Sequence, residues 1–247
     1  MHAVATSLVP LAQIGDDFFK DRSEADCVAQ NGAFCASWAI DNIDRYLTPA
    51  LEHIVLVLVS VLLGFAIALA LAVTSHRRRW LVPPLTAATG ILYTIPSIAL
   101  FLLLLPVSGR GTVTAVIALT LYTLQNIYRN IVTGLANVPE ASRDAGRGMG
   151  MTERQLLWRV ELPLAVPEII AGLRIATVST VAIATLAIFA GAGGLGEVIY
   201  TQGLQNDVFK TAIVVGSGIA IAMAVAFDAF YLTGQRVISP WRTVRPV

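Results

Sequence analysis

Residues that could do covalent chemistry or bind a metal ion are sparse in this chain. The three histidines are His2, His53 and His76, and no two of them have the spacing of metal ligands. Neither a G-x-S-x-G turn nor an H-E-x-x-H motif occurs. The glycine-rich stretch from Gly146 to Gly150 lacks the lysine and the spacing of a phosphate-binding loop. These absences predict that the chain is not an enzyme, and that any ATP it depends on is bound by another subunit.

A polar stretch, DAGRGMGMTERQLLWRVELP, runs from Asp144 to Pro163 between two apolar segments. Thr152 and Gln155 occupy the two positions of a helix capping box. Three apolar residues then fall on one face of the short helix that follows: Leu156, Leu157 and Val160. Glycines separate this helix from the preceding one, and Pro163 is expected to end it. The pattern predicts a short amphipathic helix on a glycine hinge. Its apolar face either docks onto a partner or lies on the membrane or on the protein's own helices.

The composition places the chain in a membrane. Apolar residues make up 56% of it, charged residues only 13%, and the mean hydropathy is +0.72. A soluble domain carries roughly 25% charged residues. No basic stripe with interleaved aromatic residues is present, so nucleic acid is not an expected partner. We predict an integral membrane protein in contact with lipid.

Apolar segments long enough to cross a bilayer as helices recur along the chain, since a crossing takes about 20 residues. They are continuous apolar runs rather than alternating ones, which favours an all-α protein over a β-barrel. Two charges fall inside the last two of these segments, Arg174 near the start of one and Asp228 near the end of the other. Both are interpreted as structural. We expect about five transmembrane helices: Ile54–Thr74, Leu85–Leu105, Thr112–Tyr128, Ile169–Ala190 and Thr211–Leu232.

The basic residues of the connections predict the orientation. Eleven arginines lie on one set of loops, and five lysines or arginines lie on the other. Because the richer side faces the cytoplasm, the N-terminus is expected outside and the C-terminus in the cytoplasm. The domain division is then an extracytoplasmic tail (1–48), a transmembrane domain (49–235) with a cytoplasmic loop (136–168), and a cytoplasmic tail (236–247).

Three smaller features are open to two interpretations each. Cys27 and Cys35, in a segment placed outside, either form a disulfide or stay as unpaired thiols. Pro96 removes a backbone hydrogen bond inside the second predicted span, where it makes either a bend along a translocation pathway or a packing kink. Gly193 and Gly194 belong to either a close-packed turn near a pore mouth or a flexible loop.

The polar stretch also carries a motif with a known frame. Permeases of type I ABC importers have the pattern E-A-A, three residues, G, nine residues, I-x-L-P, and this stretch resembles it without a gap. Asp144-Ala145-Gly146 takes the place of E-A-A, Gly150 that of the glycine, and Val160, Leu162 and Pro163 that of I-x-L-P. Aspartate replaces glutamate in the first position, and Gly146 replaces the second alanine.

The resemblance extends beyond the loop and points to one branch. YTIPSIALFLLLLP, LYTLQNIYRNIVTGL and GAGGLGEVIY, together with the T-I-P-S and G-M-G-M-T features, are similar to glycine betaine/choline/carnitine permeases. The resemblance implies a type I importer permease fold in the cytoplasmic membrane. It implies a subunit that forms the translocation pathway for osmoprotectants and couples to ATPase subunits through the helix of the polar stretch.

The same resemblance implies partners. Two ATPase subunits would hold the ATP and magnesium, so this chain itself needs no cofactor. A second permease chain, identical or paralogous, and an extracytoplasmic solute-binding protein would complete the assembly. Two alternatives stay open: a permease for methionine or another small zwitterion, and a secondary carrier or membrane scaffold that has no ATPase.

Overall fold

The computed structural model describes residues 29–205 and 208–238, and within these ranges it contains helices and no strand. The α-helices are α1 (Ala36–Asp41), α2 (Leu47–Arg77), α3 (Val82–Thr94), α4 (Ser97–Ser108), α5 (Thr112–Ala136), α6 (Glu140–Gly148), α7 (Glu153–Leu156), α8 (Leu162–Ala184), α9 (Leu195–Val198) and α10 (Lys210–Ile238). Tighter 3-10 turns occur at Ile43–Tyr46, Arg79–Leu81 and Ala187–Ala190. Wider π-helical turns occur at Leu157–Glu161 and Ile199–Leu204.

The fold is the predicted all-α one, and its helices fit a membrane. Three helical stretches of the described chain are long and apolar enough to cross a bilayer: Ile43–Arg77, Glu153–Ala184 and Lys210–Ile238. The pair α3 and α4 makes a fourth if it counts as one span. These account for four of the five expected spans. Which side of the membrane each end faces stays a prediction.

The remaining expected span, α5, is the central helix of the bundle. At 25 residues it is long enough to cross a bilayer, but it carries Gln125, Asn126, Arg129 and Asn130 and is less apolar than the others. Helices α2 and α8 pack along its length, and much of its surface is buried. A helix enclosed by protein does not need a lipid-compatible surface.

Pro96 breaks the second predicted span rather than kinking it. Ile95 and Pro96 both have extended backbones, with ψ of 129° and 133°, and α3 and α4 meet at 98°. Proline disfavours the helical conformation at the residue before it, which explains why α3 ends there. The hydroxyl of Tyr122 donates to the Ile95 carbonyl that the break leaves free. Helices of 13 and 12 residues are each too short to cross a bilayer alone.

The expectation that Pro163 ends the loop helix is wrong. Helical structure runs from Glu153 to Ala184 through the π-helical turn Leu157–Glu161, with Pro163 in the first turn of α8. A proline is tolerated in a first helical turn, and the widened turn before it relieves the clash of its ring with the preceding carbonyl. The loop helix and the fourth span are therefore one continuous helical stretch, which begins well before the expected Ile169.

The residues before α2 pack on the start of α10. Cys35 and Trp38 are buried against Phe209 and Ala212, and the Trp38 and Phe209 rings meet edge to face with centroids 4.8 Å apart. The Cys35 N–H donates to the Thr211 hydroxyl at 2.9 Å. Cys27, with most of the predicted tail 1–48, lies outside the described residues, and its disulfide with Cys35 stays a prediction.

Candidate functional site

The capping box at the start of α7 is confirmed. The Gln155 N–H donates to the Thr152 hydroxyl at 3.3 Å, and the Thr152 N–H donates to the Gln155 side-chain oxygen at 2.9 Å. These two bonds satisfy donors that a helix start would otherwise leave without partners. The first turn of the loop helix is therefore held by side chains of its own sequence.

Gly150 supplies the predicted separation between the two loop helices. Its φ is +78°, in the left-handed region, and its N–H donates to the Arg147 carbonyl at 2.9 Å. A bond from the Met151 N–H to the Gly146 carbonyl, at 3.2 Å, closes the end of α6 in the same turn. The chain reverses there, and α7 packs back on α6. A Cβ at Gly146 would stand only 2.6 Å from Leu156 Cδ1.

Docking onto a partner, one of the two interpretations of the apolar face, does not fit the two leucines of the loop helix. Leu156 and Leu157 are each 1% exposed, and Val160 is half-buried. Leu156 lies against Gly146, while Leu157 joins the core with residues of α2, α5 and α8. The face therefore lies on the protein's own helices, which was the alternative interpretation. The physical reasons are the chain reversal at Gly150, which packs Leu156 on α6, and the continuity of α7 with α8, which turns Leu157 towards the bundle.

The solvent-facing side of the loop carries a different set of residues. Met149, directly after α6, is 70% exposed, and Trp158, in the π-helical turn after α7, is 52% exposed. Asp144 and Ala145 are exposed on α6, and Asp144 lies 3.8 Å from Arg147 in a mostly exposed ion pair. Leu162 is buried and Pro163 is exposed at the start of α8. The motif residues thus divide between the packed side and the exposed side of the loop.

A buried ion cluster links the loop to the bundle, and the sequence interpretation missed it. Glu161 is 4% exposed and accepts from Arg143 Nε at 2.7 Å; His76 Nε2 lies 2.8 Å from its other oxygen. Arg143 also donates to the Leu135 carbonyl at 2.6 Å. The cluster ties the end of α2, helix α6 and the π-helical turn together. A glutamate inside the apolar pattern V-E-L-P was the available signal, but nothing nearby in the sequence indicated its partners.

At a different part of the fold, Gly193 and Gly194 pack against the start of α2. The Gly194 N–H donates to the Glu52 carboxylate at 3.0 Å, and Gly194 has a φ of +98°. A Cβ at Gly193 would overlap the Glu52 carboxylate. Both residues line or adjoin a cavity of about 540 Å³ that also has Glu197 on its wall. The close packing of these glycines is therefore confirmed, and their placement near a pore mouth stays a prediction.

The described residues show no cluster suited to a metal ion. Within 29–205 and 208–238, no three histidine, cysteine, aspartate or glutamate side chains gather closely enough to hold one. Pro96 lies at the α3–α4 break, separate in the chain from the loop and from the glycine turn.

The sequence is similar to families of transport proteins. Residues 47–241 match the family described as binding-protein-dependent transport system inner membrane component. The osmoprotectant import permease protein OsmW of Salmonella typhimurium is 36% identical over 208 residues, which cover 82% of this chain and 96% of that protein. The choline transport system permease protein OpuBD of Bacillus subtilis is 37% identical over 219 residues, covering 88% and 91%.

Solved structures share the fold. A chain of the inward-facing MetNI methionine ABC transporter superposes with a TM-score of 0.66 at 24% identity, covering 81% of this chain and 96% of that one. A chain from the crystal structure of an amino acid ABC transporter with histidines superposes with a TM-score of 0.67 at 16% identity, covering 80% and 95%.

Proposed function

The chain belongs to the family of inner-membrane components of binding-protein-dependent transport systems, and we propose that it passes osmoprotectants of the choline, carnitine and glycine betaine class. It is the multi-pass permease subunit of an ABC importer. The proposed substrate class is supported by the agreement among the names of the relatives. Proteins 33–37% identical across 76–88% of this chain are named for osmoprotectants, choline, carnitine or glycine betaine. These named compounds share a trimethylammonium group.

The substrate is tested by uptake in cells that lack this chain. We expect the deletion strain to lose uptake of radiolabelled choline, carnitine or glycine betaine, and a plasmid copy of the chain to restore it. Methionine uptake serves as the comparison and should not change. Loss of methionine uptake alone would instead support the methionine alternative. Uptake that persists after ATP is depleted, while the ion gradients are intact, would support a secondary carrier.

The loop is the proposed contact with separate ATPase subunits that hold ATP and magnesium. Its exposed side supports this role, because Met149 and Trp158 offer apolar surface on either side of a capped helix turn. The continuous helical stretch from Glu153 to Ala184 supplies a mechanical connection. A displacement of α7 by an ATPase would move the transmembrane part of α8 directly, with no flexible joint between them. Glu161 would carry the same displacement to α2 through His76.

The remaining partners are a second permease chain, two ATPases in all and an external solute-binding protein. Helix α10 supports the second permease chain, since only 11% of its most apolar stretch is buried within this chain. Ile221, Val225 and Phe230 are all more than half exposed on it. That surface is left for lipid or for another membrane subunit.

Docking is tested by changing the exposed side of the loop rather than the buried leucines. Met149→Glu should weaken retention of the ATPase subunits by about tenfold, because it places an unpaired carboxylate in the contact. Met149→Leu keeps an apolar side chain and serves as the matched control. Both variants should insert normally, since the side chain is 70% exposed. Full ATPase retention and uptake in Met149→Glu would refute docking through this side of the loop.

A backbone variant tests the turn between the loop helices. Gly150→Pro should abolish coupling, because proline cannot adopt a φ of +78° and lacks the N–H that bonds to Arg147. Gly148→Ala, at an exposed position with open space around it, is the control. The readout is ATP-driven uptake against the amount of chain in the membrane. Normal uptake in Gly150→Pro would show that this turn is not needed.

A further inference from the structure

A strongly basic cleft of about 590 Å³ opens beside the end of α2. Its wall carries two carboxylates, those of Glu153 and Glu161, and a larger number of guanidinium groups. Those groups come from the end of α2 and its turn, from α6 and from α7: Arg77, Arg79, Arg143, Arg147 and Arg154. The cleft is therefore a place where separate parts of the fold bring positive charge together.

The carboxylates of the cleft are already engaged. Glu161 is held by Arg143 and His76, and Glu153 lies 3.3 Å from Arg147. Three arginines of the wall have no carboxylate partner among the described residues: Arg77, Arg79 and Arg154. Like charges at close range repel each other. An anion in the cleft would relieve that repulsion, and a phosphate fits best because guanidinium groups bind its oxygens in pairs.

A second cavity, of about 480 Å³, adjoins the basic cleft and is mostly apolar. It lies between the end of α2, the start of α3 and α5, with Val82, Val132 and Leu135 on its wall. Three side chains line both spaces: His76, Arg79 and Arg143. A polar space and an apolar space thus meet at the same residues. Such a pair of spaces fits an amphiphilic molecule better than a free anion.

The ends of the apolar helical stretches place the two cavities near the expected membrane surface. The membrane-crossing stretch that contains α2 ends at Arg77, and the bent pair that follows begins at Arg79. Trp80 lies in the turn Arg79–Leu81 that joins α2 to α3, and it is 69% exposed. Tryptophan beside arginine is typical of the headgroup region, where one end of a side chain meets lipid and the other meets water.

We propose that this pair of cavities binds one anionic phospholipid. Its phosphate lies in the arginine cleft, and one acyl chain lies along the apolar cavity between α2 and α5. Basic pockets between membrane helices bind such headgroups in other proteins by the same charge pairing. The site does not depend on the transported substrate, so its test needs neither transport nor ATP.

The test is native mass spectrometry of the full-length chain in a non-ionic detergent, titrated with dioleoyl phosphatidylglycerol. We expect one retained lipid, held more tightly than dioleoyl phosphatidylcholine. Arg79→Gln should weaken phosphatidylglycerol binding about fivefold, the usual contribution of one arginine near an anionic surface. Arg78→Gln is the matched control, because Arg78 belongs to the same exposed run but lines neither cavity. It should bind the lipid as the unchanged chain does.

Further arms separate a lipid from a free anion. Val132→Phe fills the apolar cavity and should weaken the binding of phosphatidylglycerol. Inorganic phosphate should compete with the lipid no more strongly in this variant than in the unchanged chain. Equal affinity for phosphatidylcholine would overturn the proposal, as would equal loss in Arg78→Gln. Displacement of the lipid by millimolar inorganic phosphate would show a free-phosphate site instead. Circular dichroism and gel filtration confirm that each variant is folded before it is titrated.

Discussion

At the scale of single residues, Glu161 is the most buried carboxylate of the described residues. Its carboxylate is 4% exposed, and both oxygens are engaged, one by Arg143 and one by His76. A buried charge costs free energy unless it is paired and hydrogen-bonded, and here the pairing joins three elements. The residue lies where the loop becomes the transmembrane helix, so the cluster determines how the loop is attached.

Glu161→Gln should lower the free energy of unfolding by about 3 kcal/mol, because it leaves the Arg143 guanidinium without its counter-charge, and His76 without its carboxylate partner, in a poorly solvated place. Thermal unfolding of the purified chain in detergent measures the change. Glu153→Gln is the control: its ion pair with Arg147 is 77% exposed on the glutamate side, and its loss should cost under about 1 kcal/mol. Equal decreases in the free energy of unfolding for the two variants would mean that the burial of Glu161 does not strengthen its contribution to stability.

At the scale of elements, the important feature is the continuity of α7, the π-helical turn and α8. A loop helix that ran separately from the span could move without moving the span. Here the capping box marks the start of a helical stretch that continues to Ala184. The stability of that start depends on two local hydrogen bonds, between Thr152 and Gln155.

Thr152→Ala should loosen the first turn without disturbing the rest. Loss of an N-cap costs about 1 kcal/mol, which corresponds to about fivefold faster amide exchange for the turn it holds. Hydrogen exchange with mass spectrometry should show this for residues 153–156 and no change within α8. Thr152→Ser keeps the hydroxyl and should exchange like the unchanged chain. Faster exchange along the whole of α8 would contradict a locally capped start.

At the scale of the whole molecule, α10 is attached to the bundle largely through α8 and the turn after α9. Arg174 on α8 makes a two-pronged ion pair with Asp228 on α10, and the Thr177 hydroxyl bonds the Tyr231 hydroxyl at 3.1 Å one turn away. The structural interpretation of the two charges is correct, but they act as a pair. An ion pair near a membrane is less well screened than one in water.

Asp228→Ala should lower the melting temperature, because Arg174 then lacks its counter-charge and α10 loses one of its few polar attachments. The exchanged pair Arg174→Asp with Asp228→Arg should melt above the single variant, since it restores opposite charges on the two helices. Melting is followed by tryptophan fluorescence in detergent. An exchanged pair that melts no higher than Asp228→Ala would show that the charges do not stabilise the packing of α8 on α10.

Some properties follow from the sequence alone because their causes are local or additive. The membrane location follows from composition, since apolar side chains favour lipid wherever they lie along a helix. The capping box requires only Thr152 and Gln155, three residues apart. The disturbance of the helix at Pro96 follows from the proline ring, which acts on the residue next to it, although the sequence indicated a bend or kink and not a full break.

Other properties were decided only by the tertiary structure, because they depend on contacts between residues far apart in the chain. Leu156 and Leu157 fit a docking face equally well in the sequence, but the fold packs Leu156 on α6 and Leu157 in the bundle core. Glu161 finds His76 across 85 residues, and Arg174 finds Asp228 across 54. The sequence predicts Thr112–Tyr128 as a span like the other four, whereas α2 and α8 enclose that helix at the centre of the bundle. Periodicity says which residues share a face, but only packing decides what the face meets.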